Sequence, residues 1–190
     1  MSSVYKSIVA GLTEAIEDNR SADKKLKSIM RQKYRQFGKN HPSGSASRIL
    51  TMMEMMEVFY ASPAVLSNGS AEIFKNDVEN CVGTCPYLEG YIFHADGNIR
   101  GYAMVAKSFS TEFGKPCIWI EDLYIKSEYR GLGIGSKFFS YIEEKYPDAV
   151  LRLEVEKENE RAIKVYEKCG YEVLPYLEMK KQKVKNKTGN

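Results

Sequence analysis

The stretch Cys117–Glu144 constrains the fold most, because it changes character twice in a fixed order. Cys117 to Ile125 is β-branched, aromatic and aliphatic apart from one acidic pair, Glu121-Asp122, and reads as a buried strand. A polar connector, Lys126–Tyr129, leads into Arg130-Gly131-Leu132-Gly133-Ile134-Gly135. From Ser136 to Glu144 the residues Phe138, Phe139 and Ile142 share one helical face with Gly135. Strand, glycine-rich turn and helix in that order leave backbone N–H groups unobstructed at a helix start. The unpaired donors and positive dipole end of its first turn suit a phosphate.

Two familiar phosphate loops do not fit. No Gly-Lys-Ser/Thr ending follows, which excludes a nucleoside-triphosphate P-loop. A dinucleotide fingerprint would need a small third residue where Ser136 stands, and the strand would have to end closer to Gly131. What fits is Arg-x-x-Gly-x-Gly, from Arg130, Gly133 and Gly135, which resembles the pyrophosphate-binding loop of the GNAT family of acetyl-CoA-dependent N-acetyltransferases. Asn159-x-x-Ala162-x-x-x-Tyr166-x-x-x-Gly170-Tyr171 resembles that family's second signature, a helix whose tyrosine sits beside the acetyl-CoA sulfur. Gly114-Lys115, Ile120–Ile125 and Ser127–Ser136 are especially similar to the spermidine/spermine (diamine) branch.

The resemblance covers about Ile49 to Lys180 and implies an α/β fold of the α+β type. Its mixed, mostly antiparallel sheet is flanked by helices, and a splayed central strand forms the CoA cleft. Backbone groups of Leu123, Tyr124 and Ile125 are then expected to pair with the pantetheine arm. Arg130, Gly131, Leu132, Gly133, Ile134, Gly135 and Ser136 would hold the pyrophosphate, and Asn159 and Tyr166 would complete the acetyl-CoA site. One departure stands out: residues 1–45 do not open with the strand usual in such a domain, so either that segment supplies a substitute or the sheet starts one strand short.

The chemistry narrows the roles. A lysine-like amine has a pKa near ~10, arrives as ammonium, and cannot attack a thioester before losing a proton. A carboxylate at the cleft edge of the strand can hold the cation and accept that proton, directly or through water. The resemblance places this carboxylate at Glu121. Glu121 and Asp122 are the acceptor-binding candidates, and period-two alternation sends Asp122 to the opposite face from Glu121. Tyr166 is the candidate acid for the leaving thiolate, and a backbone N–H of the strand is the candidate oxyanion donor. Arg130 is a candidate phosphate anchor.

The 190 residues suffice for one well-cored domain with an appendage. We expect a basic helical extension over 1–45, an acetyltransferase domain over 46–180 and a disordered lysine-rich tail over 181–190. The net charge of +3 conceals nine Lys/Arg against four Asp/Glu in 1–40 and five lysines with no acid in 180–190. The intervening body is acidic and would steer a cationic small molecule inward. Tyr5–Asn19 resembles the leading helix of small antitoxin-like DNA-binding proteins, but no recognition helix follows, so nucleic acid is not the expected partner. No apolar run is long enough to span a membrane, and Met1–Ala10 lacks a signal-peptide core, which points to the cytoplasm. Cys81-x-x-x-Cys85 has the wrong spacing for a redox pair, and His41 and His94 lie far apart in sequence. Four reduced thiols and no metal are expected. A homodimer is common among resembling proteins. Two alternatives remain open at this point: a protein or peptide N-acetyltransferase, and a non-catalytic acyl-CoA sensor with the basic N-terminal helices as a binding arm.

The remaining pattern predicts helices within 4–35, at Ser47–Tyr60 with a methionine stripe as core filler, and at Ala71–Cys81 with Ser70 as N-cap. Gly38–Ser45 is a breaker cluster. A hairpin is expected over Gly90–His94 and Ile99–Ala106 around Asp96-Gly97-Asn98, with His94 on the surface. A strand over Ala149–Val155, a helix over Asn159–Cys169 closed by Gly170, and strands at Tyr171–Val173 and Tyr176–Met179 complete the reading.

Overall fold

The computed structural model describes residues 45–65, 69–82 and 85–181. The helical reading of 4–35, most of the breaker cluster and the tail beyond 181 lie outside these residues. Helix α1, Ser45–Tyr60, and helix α2, Ala71–Val82, come first. Four strands follow, β1 Leu88–Ala95, β2 Asn98–Ser110, β3 Lys115–Ile125 and β4 Val150–Leu153. A short 3-10 turn, Ser127–Tyr129, and helix α3, Ile134–Lys145, separate β3 from β4, and helix α4, Glu160–Lys168, follows β4.

The sheet runs in the order β1-β2-β3-β4. β1 and β2 form an antiparallel hairpin from Leu88↔Ala106 to Ala95↔Asn98. Its turn has positive φ at both Asp96 and Gly97, the conformation that Asp-Gly specifies. β2 and β3 are antiparallel from Gly101↔Ile125 to Ser110↔Lys115, whereas β3 and β4 are parallel from Cys117↔Val150 to Ile120↔Leu153. The parallel pairing requires a crossover, and α3 supplies it.

Two apolar clusters sandwich the sheet. On one face α1 and α2 contribute Ile49, Met52, Met53, Met55, Met56, Phe74 and Val78, packed on Tyr102 and Met104. All four methionines are under 5% exposed, as the core-filler reading requires. Ser70 caps α2, accepting from the Ile73 N–H at 3.2 Å. On the other face Phe138, Phe139 and Ile142 of α3 cover Ala103, Val105, Ile118 and Ile120, with Tyr166, Cys169 and Tyr171 at the margin. β2 is covered on both sides, which is why Tyr102, Ala103, Met104 and Val105 are buried without alternation.

Several strands differ from the sequence pattern. β1 and β2 are longer than the hairpin expected, because the register continues to Leu88 and Ser110. β4 covers only four residues, since its neighbour diverges after Ile120. The strands expected at Tyr171–Val173 and Tyr176–Met179 do not form: the chain there is irregular, with Val173, Leu177 and Met179 each at least 86% exposed. Alternating apolar residues make a strand only where an edge accepts them, and here they pair with none of the described strands. No described helix is long and apolar enough to cross a membrane.

One polar hub ties β1, β2 and the end of α3 together. Glu89 accepts from Lys107 Nζ at 2.9 Å, Lys145 Nζ at 2.7 Å, the Tyr146 hydroxyl at 2.8 Å and the Tyr91 hydroxyl. Desolvation alone would raise the pKa of Glu89, but bonds from Lys145, Tyr91, Lys107 and Tyr146 reverse this and hold it well below the usual carboxylate range. A carboxylate depressed in the fold stabilises it above the unfolded-state pKa of about 4.3, and that gain is lost as pH falls through the folded value. Glu89→Gln is therefore expected to cost about 1–2 kcal/mol at pH 7 in urea titrations and distinctly less at pH 2. An equal deficit at both pH values would show that charge is not what the hub contributes.

Candidate active site

The parting of β3 from β4 creates the site. Their pairing stops at Ile120↔Leu153, while β3 continues to Ile125 against β2. From Glu121 to Ile125 the edge of β3 that faced β4 is thus left without a strand, as the splayed-strand expectation required. Just at the parting the register against β2 shifts: Val105 pairs with Ile120 and Met104 with Asp122, so Glu121 is the extra residue of a β-bulge. The bulge reverses the parity of the strand. Ile118 and Ile120 pack on the α3 face, but Tyr124 packs on the α1 face and Leu123 on the α3 face.

Simple alternation therefore does not locate the acidic pair. Asp122 is 2% exposed. Its two oxygens accept from the Tyr60 hydroxyl, at the end of α1, and the Tyr102 hydroxyl, in the centre of β2, each at 3.0 Å. Desolvation raises its pKa to about 6 against the opposing pull of these bonds. Glu121 reaches solvent, yet the surrounding protein raises its pKa, first by desolvation and then through the Glu178 carboxylate. Glu154, the first residue beyond β4, is pushed up to about 7 by desolvation, by a hydrogen bond and charge from Glu178, and by the charge of Glu121. Three carboxylates thus share the mouth of the parting. Glu154 and Glu178 were not singled out from the sequence. Glu154 was legible as the residue continuing the β4 pattern past Leu153, whereas Glu178 lies in the segment Tyr176–Met179, whose pattern suggested a strand and which is irregular in the structure.

The glycine-rich loop lies at the far end of the same strand edge. The 3-10 turn brings the chain round, and the Arg130 Nε–H donates to the Ile125 carbonyl at 2.9 Å, fastening the loop to the end of β3. That use of Arg130 is mechanical as well as electrostatic. Gly131 and Gly133 have φ of 80° and 75°, in the left-handed region. A Cβ on either would touch nothing within 4 Å, so backbone conformation rather than crowding calls for glycine. Gly133 is the N-cap of α3, and no side chain caps it. The first intrahelical bond runs from the Lys137 N–H to the Gly133 carbonyl at 3.0 Å, which leaves the N–H groups of Ile134, Gly135 and Ser136 at the head of the helix. A Cβ on Gly135 would meet Ile125 at 3.6 Å and Leu123 at 3.9 Å, so the helix start rests against the end of β3. Strand edge, loop and helix head are contiguous. A ligand with an extended arm and a terminal diphosphate fits that sequence of groups.

Asn159 is the N-cap of α4, its Oδ1 accepting from the Ala162 N–H at 3.2 Å. Tyr166 projects from α4 against Phe139, ring centroids 5.7 Å apart and nearly perpendicular, and lies 6.1 Å from the Tyr171 ring. Burial raises the pKa of Tyr166, which keeps its hydroxyl protonated at neutral pH. The structure brings Leu123, Ile125 and the loop together, groups Glu121 with Glu154 and Glu178, and sets Asp122 apart in the core. His94 is exposed, and all four cysteines are free.

A sheet that parts beside a bulge, with an uncapped helix head at the end of the parted edge, makes an α/β domain in which an open strand edge leads to a helix N-terminus. The acetyltransferase (GNAT) family model matches residues 55–171, and the chain belongs to that family. Residues of the chain are 41% identical over 83 positions to a thialysine N-epsilon-acetyltransferase from Bos taurus, covering 42% of this chain and 48% of that protein. The chain spans about half the length of the curated relatives it matches. Among solved structures, a possible acetyltransferase from Clostridium difficile 630 superposes with a TM-score of 0.62 at 20% identity, covering 73% of this chain and 93% of that one. AAC(6')-Iy in complex with a bisubstrate analog, CoA-S-monomethyl-acetylneamine, superposes with a TM-score of 0.53 at 16% identity over 63% of this chain and 84% of that one.

Proposed function

We propose that the protein transfers the acetyl group of acetyl-CoA to a primary amine, and that the acceptor is a small, polyamine-like cation attacking directly in a ternary complex. The observation that carries the reading is the bulge at Glu121, where the strand parts and three carboxylates gather within reach of the open edge. Membership of the acetyltransferase family supports the reaction, and the thialysine relative supports an acceptor with more than one amine. The open edge from Leu123 to Ile125 is assigned to the pantetheine arm, and the loop Arg130–Ser136 to the pyrophosphate.

Glu121 accepts the proton of the bound ammonium, freeing the nitrogen lone pair for the thioester carbon. As the carbon–sulfur bond breaks, Tyr166 gives its phenolic proton to sulfur, and the second proton of the attacking nitrogen restores it. Glu154 and Glu178 hold the distal positive charge of the acceptor, and their mutual repulsion is relieved when it binds. We place the reaction in the cytoplasm, without a metal.

The test is thiol release from acetyl-CoA against a panel of spermidine, thialysine, an aminoglycoside, a neutral monoamine and a lysine-containing peptide. Acceptors with two or more charges are expected to exceed the neutral monoamine in kcat/KM by about tenfold or more, as one additional charge contact provides. Equal rates across the panel would sink the polyamine assignment. The absence of amine-dependent thiol release would leave an acyl-CoA-binding protein.

A further inference from the structure

Asp122 was expected to hold substrate, yet it is 2% exposed and both of its oxygens are already used. We propose instead that Asp122 is a positioning residue for acetyl transfer: clamped by Tyr60 and Tyr102, it locks the β3 bulge and so keeps Glu121 turned into the parting of the sheet. The proposal rests on Glu121 serving as the base.

The argument begins with register. In a strand without a bulge, position 122 would fall on the same face as Ile118 and Ile120, against Phe138, Phe139 and Ile142. Phe138, Phe139 and Ile142 themselves offer no hydrogen-bond donor, and placing a carboxylate against them is costly. With the bulge, Asp122 crosses to the face of α1 and α2, where two hydroxyls await it. Glu121 is then the residue left over, without a partner on β2 and free to face the parting. A bulge re-aims a side chain, and a slip of one residue would undo it. The aspartate is what makes slipping expensive.

The two tyrosines come from separate elements and are themselves fixed. Tyr102 is fully buried and packs near Phe59 and Tyr124. Tyr60 packs edge-on to Phe59 at 5.4 Å and against Phe74 at 5.1 Å. Tyr60 also ends α1, immediately before the connection to α2. Its bond to Asp122 therefore joins the helical layer to the strand residue next to the base. Asp77 and Glu121 are the other charged groups felt at Asp122, and neither neutralises it. The clamp is held by hydroxyl donors alone among the described residues.

Non-additivity is the test. Asp122→Ala, Asp122→Asn and Tyr60→Phe are made in the wild-type chain and in Glu121→Gln, and each is assayed with spermidine and acetyl-CoA. In the wild-type background Asp122→Ala should lower kcat by about 10²-fold, the size expected when a reacting group is displaced by about an ångström. Asp122→Asn and Tyr60→Phe should fall between that and wild type. In the Glu121→Gln background the same changes should cost less than about twofold, because residues that act through one another do not add. CoA affinity by calorimetry should stay constant throughout. A full loss from Asp122→Ala in both backgrounds would show that Asp122 acts independently of Glu121, and would overturn the proposal while leaving the base in place. Wild-type turnover in Glu121→Gln alone would remove the base itself, and the positioning role with it. If Asp122→Ala does not fold, Tyr60→Phe keeps the ring and its packing and carries the same comparison.

Discussion

Replacing Gly133 by aspartate is expected to weaken CoA binding by about 10²-fold or more while leaving the fold intact, an effect of about 3 kcal/mol. The separation of binding from folding follows from where Gly133 sits. It caps α3 with φ at 75°, no side chain occupies the cap, and a Cβ would meet no atom within 4 Å. Aspartate is a favourable N-cap residue and, with asparagine, one of the side chains best able to adopt left-handed φ. The helix start therefore accepts the change at the cost of some backbone strain, offset in part by the dipole. The same negative charge, however, stands at the head of the helix, among the N–H groups of Ile134, Gly135 and Ser136 that we assign to the pyrophosphate. Gly133→Asn is the control, since it repeats the shape and backbone demand without the charge, and should lose no more than about tenfold. Calorimetry with CoA and melting curves on both variants decide the matter. Unchanged affinity in Gly133→Asp would remove the loop from the CoA site, and equal losses in Asp and Asn would assign the effect to backbone geometry rather than to charge.

The loop was legible because its chemistry is local. Arg130, Gly133 and Gly135 stand at fixed offsets between a strand and an amphipathic helix, and glycine at positive φ leaves a trace in the sequence that no tertiary contact is needed to read. Helix α1 was legible for a similar reason, its methionines all falling in the core. The acidic pair was legible only in part: alternation separates Glu121 from Asp122, but it does not disclose the bulge that sends Asp122 to the α1 face. Period-two reasoning assumes an unbroken ladder, and the register shift between Met104 and Val105 depends on what Tyr60 and Tyr102 offer from elsewhere in the chain. Neither tyrosine is marked by spacing from Asp122. Glu178 is a further case: it reaches Glu121 and Glu154 from an irregular segment whose apolar alternation suggested a strand. Local propensity is consistent with Tyr176–Met179 being extended, but an extended segment becomes a strand only when a neighbouring edge is free and in register. The site is thus half local pattern and half long-range contact, and the sequence discloses mainly the first half.

Glu121→Gln and Tyr166→Phe are expected to fail in different ways. Glutamine keeps the shape of Glu121 but cannot take a proton, so turnover with spermidine should fall by about 10²-fold or more at neutral pH, the range of positioned proton transfer. Part of it should return above about pH 9, where an appreciable share of an amine with pKa near ~10 is already free. In the wild-type enzyme the base works only when ionised. Because desolvation and then Glu178 raise the pKa of Glu121, the acidic limb of kcat/KM should lie above the ordinary glutamate value of about 4.3. Glu154, pushed up to about 7, interacts with the same charges, so the limb belongs to the set rather than to one residue. Glu178→Gln removes one of the raising charges and should move the limb to lower pH, although not to the ordinary value, since desolvation remains the larger cause. Tyr166→Phe keeps the ring against Phe139 and removes only the hydroxyl. CoA affinity should survive while kcat drops by about 10²-fold, with no recovery at high pH, because free amine does not supply the proton that the thiolate needs. Wild-type kcat in Tyr166→Phe across the pH range would reduce the tyrosine to packing. A Glu121→Gln enzyme with raised KM for spermidine and unchanged kcat would make Glu121 a binding carboxylate, and would pass the proton to water or to Glu154.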